Sequence, residues 1–312
     1  MKILVTGGAG FIGSQVVDAL INRDEEVIII DNLSTGSEKN INSKAIFYRL
    51  DINSGVVEEI FKAGIDIVIH LAAQISVPLS LKDSVSDARS NIMGSLNLIE
   101  LAKNYQVQKF IYINSAAIFG SPQYLPLDEE HARNPESNYG ISKNVVEQYL
   151  KISGLNYVSL RLANVYGPRQ ISGGEGGVIS IFINNLLTNS ASTIEGDGTQ
   201  TRDFIFVKDV VNAILCAMEK GDKECFNIGS GQRISINELF NRLSQLTNTA
   251  VKPRFAKRRA GDIAHSVFKI DKALEKLEWG PETELEAGLL ETMKYGQEKF
   301  KKLEPFKKLE PK

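Results

Sequence analysis

Lys2-Ile3-Leu4-Val5-Thr6-Gly7-Gly8-Ala9-Gly10-Phe11-Ile12-Gly13 is a short apolar run that passes at once into a glycine-rich turn and the start of a helical pattern. Short, unbroken and partly β-branched, the run reads as a strand buried on both faces. Gly8, Gly10 and Gly13 fit a Gly-x-Gly-x-x-Gly spacing, and Gly7, Gly10 and Gly13 fit the wider Gly-x-x-Gly-x-x-Gly. Glycine there permits the tight turn, lets backbone approach a pyrophosphate and lets the helix pack on the strand. The helix N-terminus adds free N–H groups and a partial positive charge for the phosphates. Asp31 closes the next strand eighteen residues after Gly13, where a carboxylate accepts from a ribose 2′-hydroxyl. The same charge opposes a 2′-phosphate by roughly 1 to 4 kcal/mol for unit charges about 4 Å apart. A dinucleotide site that takes NAD rather than NADP is the expectation.

Working outward, short apolar runs at 2–6, 26–31, 66–71 and 109–114 read as strands, with helical patterns near 12–23, 55–63 and 84–105 between them. A helix near 138–153 leads to the strand Tyr157-Val158-Ser159-Leu160-Arg161. This alternation predicts an α/β fold with a doubly wound parallel sheet. The texture changes after residue 165: a loop, Ser172 to Gly177, precedes helical patterns at 177–188, 207–220, 235–246 and 283–300. The expected organisation is a dinucleotide-binding domain over 1–165 and a smaller mixed α/β lobe over 166–300, from which the chain crosses back. A low-complexity tail over 301–312 follows, with the near repeat Lys301-Lys302-Leu303-Glu304-Pro305 and Lys307-Lys308-Leu309-Glu310-Pro311.

Composition narrows the function classes. The net charge is −2 over 312 residues, and Lys257-Arg258-Arg259 is too short a basic run for a nucleic-acid footprint. No apolar stretch approaches the ~18 residues that span a bilayer, and no secretory signal is legible at the N-terminus. Two cysteines, Cys216 and Cys225, cannot build a disulfide scaffold, and nothing near them has metal-ligand spacing. A cytoplasmic protein with no metal, no nucleic acid and no membrane partner is expected.

The chemistry is expected at Tyr139-Gly140-Ile141-Ser142-Lys143, which puts a phenol and an ammonium four residues apart, on one face of a helix. A tyrosine with an ordinary pKa of about 10 is a poor base at neutral pH. A nearby ammonium stabilises the phenolate, which proton abstraction from a hydroxyl requires. Phe110-Ile111-Tyr112-Ile113-Asn114-Ser115 is a strand that ends on a hydroxyl. Ligands of doubly wound sheets bind outside the carboxyl ends of the strands, so Ser115 is the expected partner of Tyr139 and Lys143. His70, at the end of another strand, reads as a satisfied core histidine.

Taken together these motifs resemble the extended short-chain dehydrogenase/reductase superfamily, with its Rossmann fold, and within it the NAD-dependent sugar-nucleotide epimerase/dehydratase family. The likeness runs from Thr6 to about residue 295. It includes Asp31-Asn32-Leu33, Leu71-Ala72-Ala73-Gln74, Ser115 to Gly120, Arg161 to Gln170, Gly196 to Phe204 and Arg259-Ala260-Gly261-Asp262. The resemblance implies that Ser115, Tyr139 and Lys143 are catalytic. It also implies that NAD meets Gly7, Gly10, Phe11, Ile12, Asp31, Asn32, Thr35, Gly36, Asp51, Ile52, Leu71, Ala72, Ala73, Asn91, Tyr139 and Lys143. For a UDP-sugar substrate it implies Ser115, Asn164, Val178, Arg202, Arg259 and Asp262, with Arg169 undecided. An arginine fork suits phosphate oxygens.

Reaction type turns on Ala116 and Ala117. Dehydratases and decarboxylating relatives carry an acid at the position of Ala117, and some dehydratases at that of Ala116 too. Elimination of water needs a proton donor for the leaving hydroxyl, and alanine is none. Epimerisation at carbon 4 of UDP-glucose and UDP-galactose, through a transient 4-keto sugar, is therefore expected. The alternatives are an N-acetylated substrate, another sugar-nucleotide epimerase or decarboxylase, or a dinucleotide-sensing protein without catalysis. Ser266, four residues past Asp262, is a small residue that the resemblance aligns with the position gating the sugar pocket. Asn114 and Phe119 depart from the family's usual serine and tyrosine, and neither carries the core chemistry. The family also implies a homodimer built on 84–105 and 138–153, where Ile92, Leu96 and Ile99 form a helical stripe.

Overall fold

The computed structural model describes residues 1–170, 177–258 and 263–307, with side chains up to residue 299. The first half runs β1 (Lys2–Thr6), α1 (Phe11–Ile21), β2 (Glu26–Asp31), β3 (Ile46–Arg49), α2 (Val57–Lys62) and β4 (Ile67–His70). It continues with α3 (Val77–Lys82), α4 (Ser84–Ala88), α5 (Gly94–Asn104), β5 (Lys109–Ser115), α6 (Asn138–Ile152) and β6 (Tyr157–Leu162). Beyond these lie β7 (Asn164–Tyr166), α7 (Val178–Leu187), β8 (Thr193–Glu195), β9 (Thr201–Arg202), β10 (Phe204–Phe206) and α8 (Val207–Glu219). The chain closes with β11 (Glu224–Ile228), β12 (Ile234–Ser235), α9 (Ile236–Thr247), β13 (Arg254–Ala256) and α10 (Leu285–Lys307).

Seven strands form one sheet in the order β3-β2-β1-β4-β5-β6-β11, and every neighbouring pair is parallel. The order reverses between β1 and β4, which opens a crevice at their carboxyl ends. The doubly wound α/β architecture read from the sequence is present. Its last strand comes from residues 224–228: β11 returns from the second lobe and pairs with β6, Asn227 beside Arg161. One apolar cluster packs α1 and α8 on one sheet face, around Val17, Val5 and Ile214. A second packs α2, α5 and α6 on the other, around Phe61, Leu98 and Val146. The second lobe has its own core around Phe182, Leu239 and Leu289, and short strand pairs β7–β10, β9–β12 and β8–β13.

Three local outcomes differ from the sequence reading. The helix expected over 84–105 is interrupted at Arg89–Met93 by a wider π-type turn. An added helix, α3, starts where Ser76 Oγ accepts from Leu79 N at 3.0 Å with a proline in the first turn, a capping pattern that stabilises short helices. The expected tail from 301 is helical as far as Lys307, continuing α10.

Candidate active site

The glycine turn is closed by contacts that only glycine permits. Gly7 has φ +73°, and a Cβ there would lie 2.8 Å from Ala72 N. A Cβ on Gly13 would lie 2.1 Å from Gly7 O, so α1 can approach the turn only without one. Gly10 N donates to Gly7 O at 3.0 Å and completes the turn. Phe11 and Ile12 open α1 and pack against the core of the second lobe, which places the turn at the seam of the two lobes.

Asp31 is 8% exposed at the end of β2. Its Oδ2 accepts from Ala9 N at 3.0 Å and its Oδ1 from Leu33 N at 2.8 Å. A carboxylate has about four acceptor sites, so two remain for ribose hydroxyls. A Cβ on Gly36 would lie 2.9 Å from Asp31 Oδ1; a side chain there would crowd the carboxylate. Thr35 is exposed beside it. Asn32 donates to Asp51 at 3.1 Å. Burial pushes the Asp51 carboxyl up, but hydrogen bonds from Asn53 and Asn32 outweigh it and hold the pKa below the usual value. Ile52 is buried and walls the crevice against Gly94.

Leu71, Ala72 and Ala73 leave the end of β4, and Ala72 N donates to Thr6 Oγ1 at 3.2 Å. Asn91, in the π-type turn, holds the next residue of this loop: it accepts from Gln74 N at 2.8 Å and donates to Gln74 O at 2.9 Å. Asn91 thus shapes the loop through the loop's backbone. His70 is a satisfied core histidine, bonded to Thr6 Oγ1 at 2.7 Å and Ser95 Oγ at 2.8 Å. Burial, then the charge of Lys143, lowers its pKa to about 3. Small residues, a helix N-terminus and a carboxylate with free acceptor sites converge at one crevice, which fits NAD.

Ser115 ends β5 with its hydroxyl at the crevice. Its Oγ accepts from Ala117 N at 3.2 Å and is close enough to the Tyr139 phenol to favour the phenolate. That meeting depends on Gly140, where a Cβ would lie 2.5 Å from Ala117 O; any side chain would push α6 off the strand end. Ser137 caps α6 by accepting from Gly140 N at 3.1 Å, and Ser80 of α3 accepts from Tyr139 N at 3.1 Å. Tyr139 and Lys143 share the inner face of α6, one turn apart.

Their charge states differ from the simple picture of a lysine acting directly on a phenol. Burial raises the Tyr139 pKa to about 12; the nearby Ser115 hydroxyl works against this and the charge of Asp87 adds to it. Lys143 is 4% exposed, and its Nζ donates to Ile113 O at 2.8 Å and stands 4.8 Å from the centre of the Tyr112 ring. Burial lowers its pKa to about 7, opposed by Asp87. The protein alone therefore holds Tyr139 as a phenol, and deprotonation calls for added positive charge in the crevice.

Asn114, which the sequence reading set aside, holds Ser115 in place. Its Oδ1 accepts from Ser115 N at 2.8 Å and its Nδ2 donates to Glu147 Oε2 at 2.8 Å. A polar residue inside an otherwise apolar strand was the available signal.

The second lobe faces this crevice. Asn164 is exposed in β7, with its backbone N donating to Asp203 O at 2.9 Å. Val178 opens α7, and Arg202 lies in β9 with Nη1 donating to Thr201 O at 2.9 Å. Arg169 turns toward α1 and pairs with Asp18 at 2.6 Å. Arg259 and Asp262 lie outside the described residues.

Residues 3–229 match the NAD dependent epimerase/dehydratase family. The chain belongs to this family. Its sequence is 45% identical to that of the UDP-glucose 4-epimerase of Thermotoga maritima, solved with UDP-glucose, and the two folds superpose with a TM-score of 0.95 over 96% of this chain and 100% of that one. The UDP-N-acetylglucosamine 4-epimerase of Methanobrevibacter ruminantium is 37% identical, with a TM-score of 0.92 over 96% and 98% of the two chains. In sequence, the UDP-glucose 4-epimerase of Mycolicibacterium smegmatis is 37% identical over 314 residues, covering 96% of this chain and 99% of its own. The protein is an NAD-dependent sugar-nucleotide epimerase.

Proposed function

We propose that this enzyme interconverts UDP-galactose and UDP-glucose by inverting carbon 4. The observation that carries the reading is the packing of Gly140 on Ala117, which sets the Tyr139 phenol against the Ser115 hydroxyl beside the glycine crevice, with alanine at 116 and 117 where elimination would need an acid. Bound in the crevice, NAD supplies a reversible two-electron oxidant whose nicotinamide ring carries positive charge. Positive charge there lowers the phenol pKa and allows Tyr139 to take the proton of the carbon 4 hydroxyl. Ser115 orients that hydroxyl, and Lys143, fixed on Ile113 O, adds its charge from one turn away. The same phenol returns the proton after the 4-keto sugar has turned its other face. Arg202 and, on sequence grounds, Arg259 and Asp262 hold the nucleotide end during that turn, with Asn164 and Val178 beside them.

Purified protein incubated with UDP-galactose, with and without added NAD, tests this. UDP-glucose should form with no net NADH. Ser266, a small residue, and the likeness to the N-acetylglucosamine enzyme favour a second reading in which N-acetylated sugars are also accepted. UDP-N-acetylgalactosamine in the same assay decides it.

The reading extends to a homodimer. Leu96 and Ile99 of the anticipated stripe pack into the core, but Val85, Met93, Ile141, Tyr149 and Ile152 leave a different apolar face of α4, the π-type turn and α6 exposed. Pairing of that face with its copy buries it, and sedimentation of the purified protein measures the outcome. We place the reaction in the cytoplasm, where a reducing environment keeps the free thiols of Cys216 and Cys225 unpaired.

A further inference from the structure

Asp87 lies in α4, and its side chain is wholly buried at 0% exposure. Its Oδ2 accepts from Ser142 Oγ at 2.6 Å, and its Oδ1 from Gln74 Nε2 at 2.9 Å and Asn91 Nδ2 at 3.0 Å. All three neighbours donate, which is the complement that an acceptor-only carboxylate requires. Each belongs to the active site by position. Ser142 sits between Tyr139 and Lys143 on α6, Gln74 follows Ala73 in the loop after β4, and Asn91 clamps the same loop.

We propose that Asp87 is a positioning residue for catalysis, the buried counter-charge that ties α6 to the loop after β4 and presents one negative charge to Lys143 and Tyr139 together.

The surroundings leave few other charges to do this. From α6, Lys143 and Tyr139 face the carboxylate, while Glu147 is engaged by Arg161 at 2.7 Å. From β5 comes Tyr112, whose pKa burial raises well above the usual value, and from β4 comes His70, neutral above about pH 3. α5 brings the uncharged Ser95, and Lys82, Asp83 and Arg89 are exposed. Against the burial that drives Lys143 toward its neutral form, Asp87 is the opposing influence. The same negative charge raises the pKa of Tyr139. Loss of one negative charge must therefore move both groups in one direction, toward lower pH.

Two measurements on Asp87→Asn test the proposal. The first is the pH profile of kcat for nucleotide-sugar epimerisation, which rests on the function proposed above. The second is the titration of Lys143 by NMR of Cε-labelled lysine, assigned with Lys143→Met, which does not. The expected result is a displacement of both limbs of the profile, and of the Lys143 midpoint, by about half a pH unit or more toward acid. Asp87→Glu, which keeps the charge, should leave the limbs in place even if the rate falls. A lower rate in Asp87→Asn with limbs and midpoint unmoved would show a packing role and overturn the proposal. Asp87→Ser removes the same charge if the asparagine variant is too unstable to titrate. A wild-type protein that converts no nucleotide sugar would defeat the functional reading alone, and the lysine titration would still decide this one.

Discussion

Replacing Glu147 with glutamine asks how firmly Ser115 is held. Glu147 lies one turn beyond Lys143 on α6 and is 0% exposed. It accepts from Arg161 Nε at 3.0 Å and Nη2 at 2.7 Å, from Ser159 Oγ at 2.9 Å and from Asn114 Nδ2 at 2.8 Å. Burial pushes its carboxyl up, but the hydrogen bonds and charge of Arg161, with Arg133 and Ser159, prevail and bring the pKa from 4.5 to about 2. At 1.36 kcal/mol per pH unit that drop corresponds to about 3 kcal/mol of stability. Removing one partner of a buried pair costs ~3 to 5 kcal/mol, because the other charge is left uncompensated. Both routes place the loss in Glu147→Gln near 3 kcal/mol at neutral pH.

Because the folded-state pKa is depressed, the contribution is fully present above about pH 4.5 and fades as pH falls toward 2. Urea unfolding of both proteins from neutral pH downward should show the gap narrowing below about pH 4.5. The variant's kcat should also fall several-fold, since Asn114 loses the anion that orients it toward Ser115. A loss below about 1 kcal/mol, or a gap that holds constant into the acid range, would refute the argument from charge.

Tyr139→Phe removes the proton acceptor while keeping the ring. Epimerisation should drop by at least ~100-fold with NAD binding and thermal unfolding unchanged, and a variant retaining most of its rate would sink the assignment. Gly13→Ala drives a Cβ to 2.1 Å from Gly7 O. Backbone must give way, and NAD affinity by calorimetry should weaken roughly tenfold or more. Asp31→Asn removes the charge that repels a 2′-phosphate, so the ratio of NADP to NAD affinity should rise; an unchanged ratio would mean that discrimination lies elsewhere.

Much of this protein was legible in order along the chain. The run from Lys2 to Gly13, with Asp31 closing the next strand, specifies a parallel sheet and a dinucleotide crevice because strand burial and glycine spacing are local properties. The Tyr139–Lys143 spacing likewise puts both groups on one helix face before any packing is known. The break at Arg89–Met93 was hidden, since helical periodicity does not reveal where a helix widens. The sequence reading also took Lys143 as acting directly on the phenol, whereas its ammonium is held on Ile113 O. Which backbone oxygen a flexible lysine meets is a matter of packing.

The sequence by itself determined the fold class and the family and nominated three catalytic side chains, because each rests on residue types at fixed spacing. Only the tertiary structure decided how they work together. Packing of Gly140 on Ala117 brings Tyr139 to Ser115, β11 returns to complete the sheet beside β6, and Asp87 and Glu147 end wholly buried. A carboxylate's influence depends on its distance from other charges and on the exclusion of water, and both are set when distant segments pack.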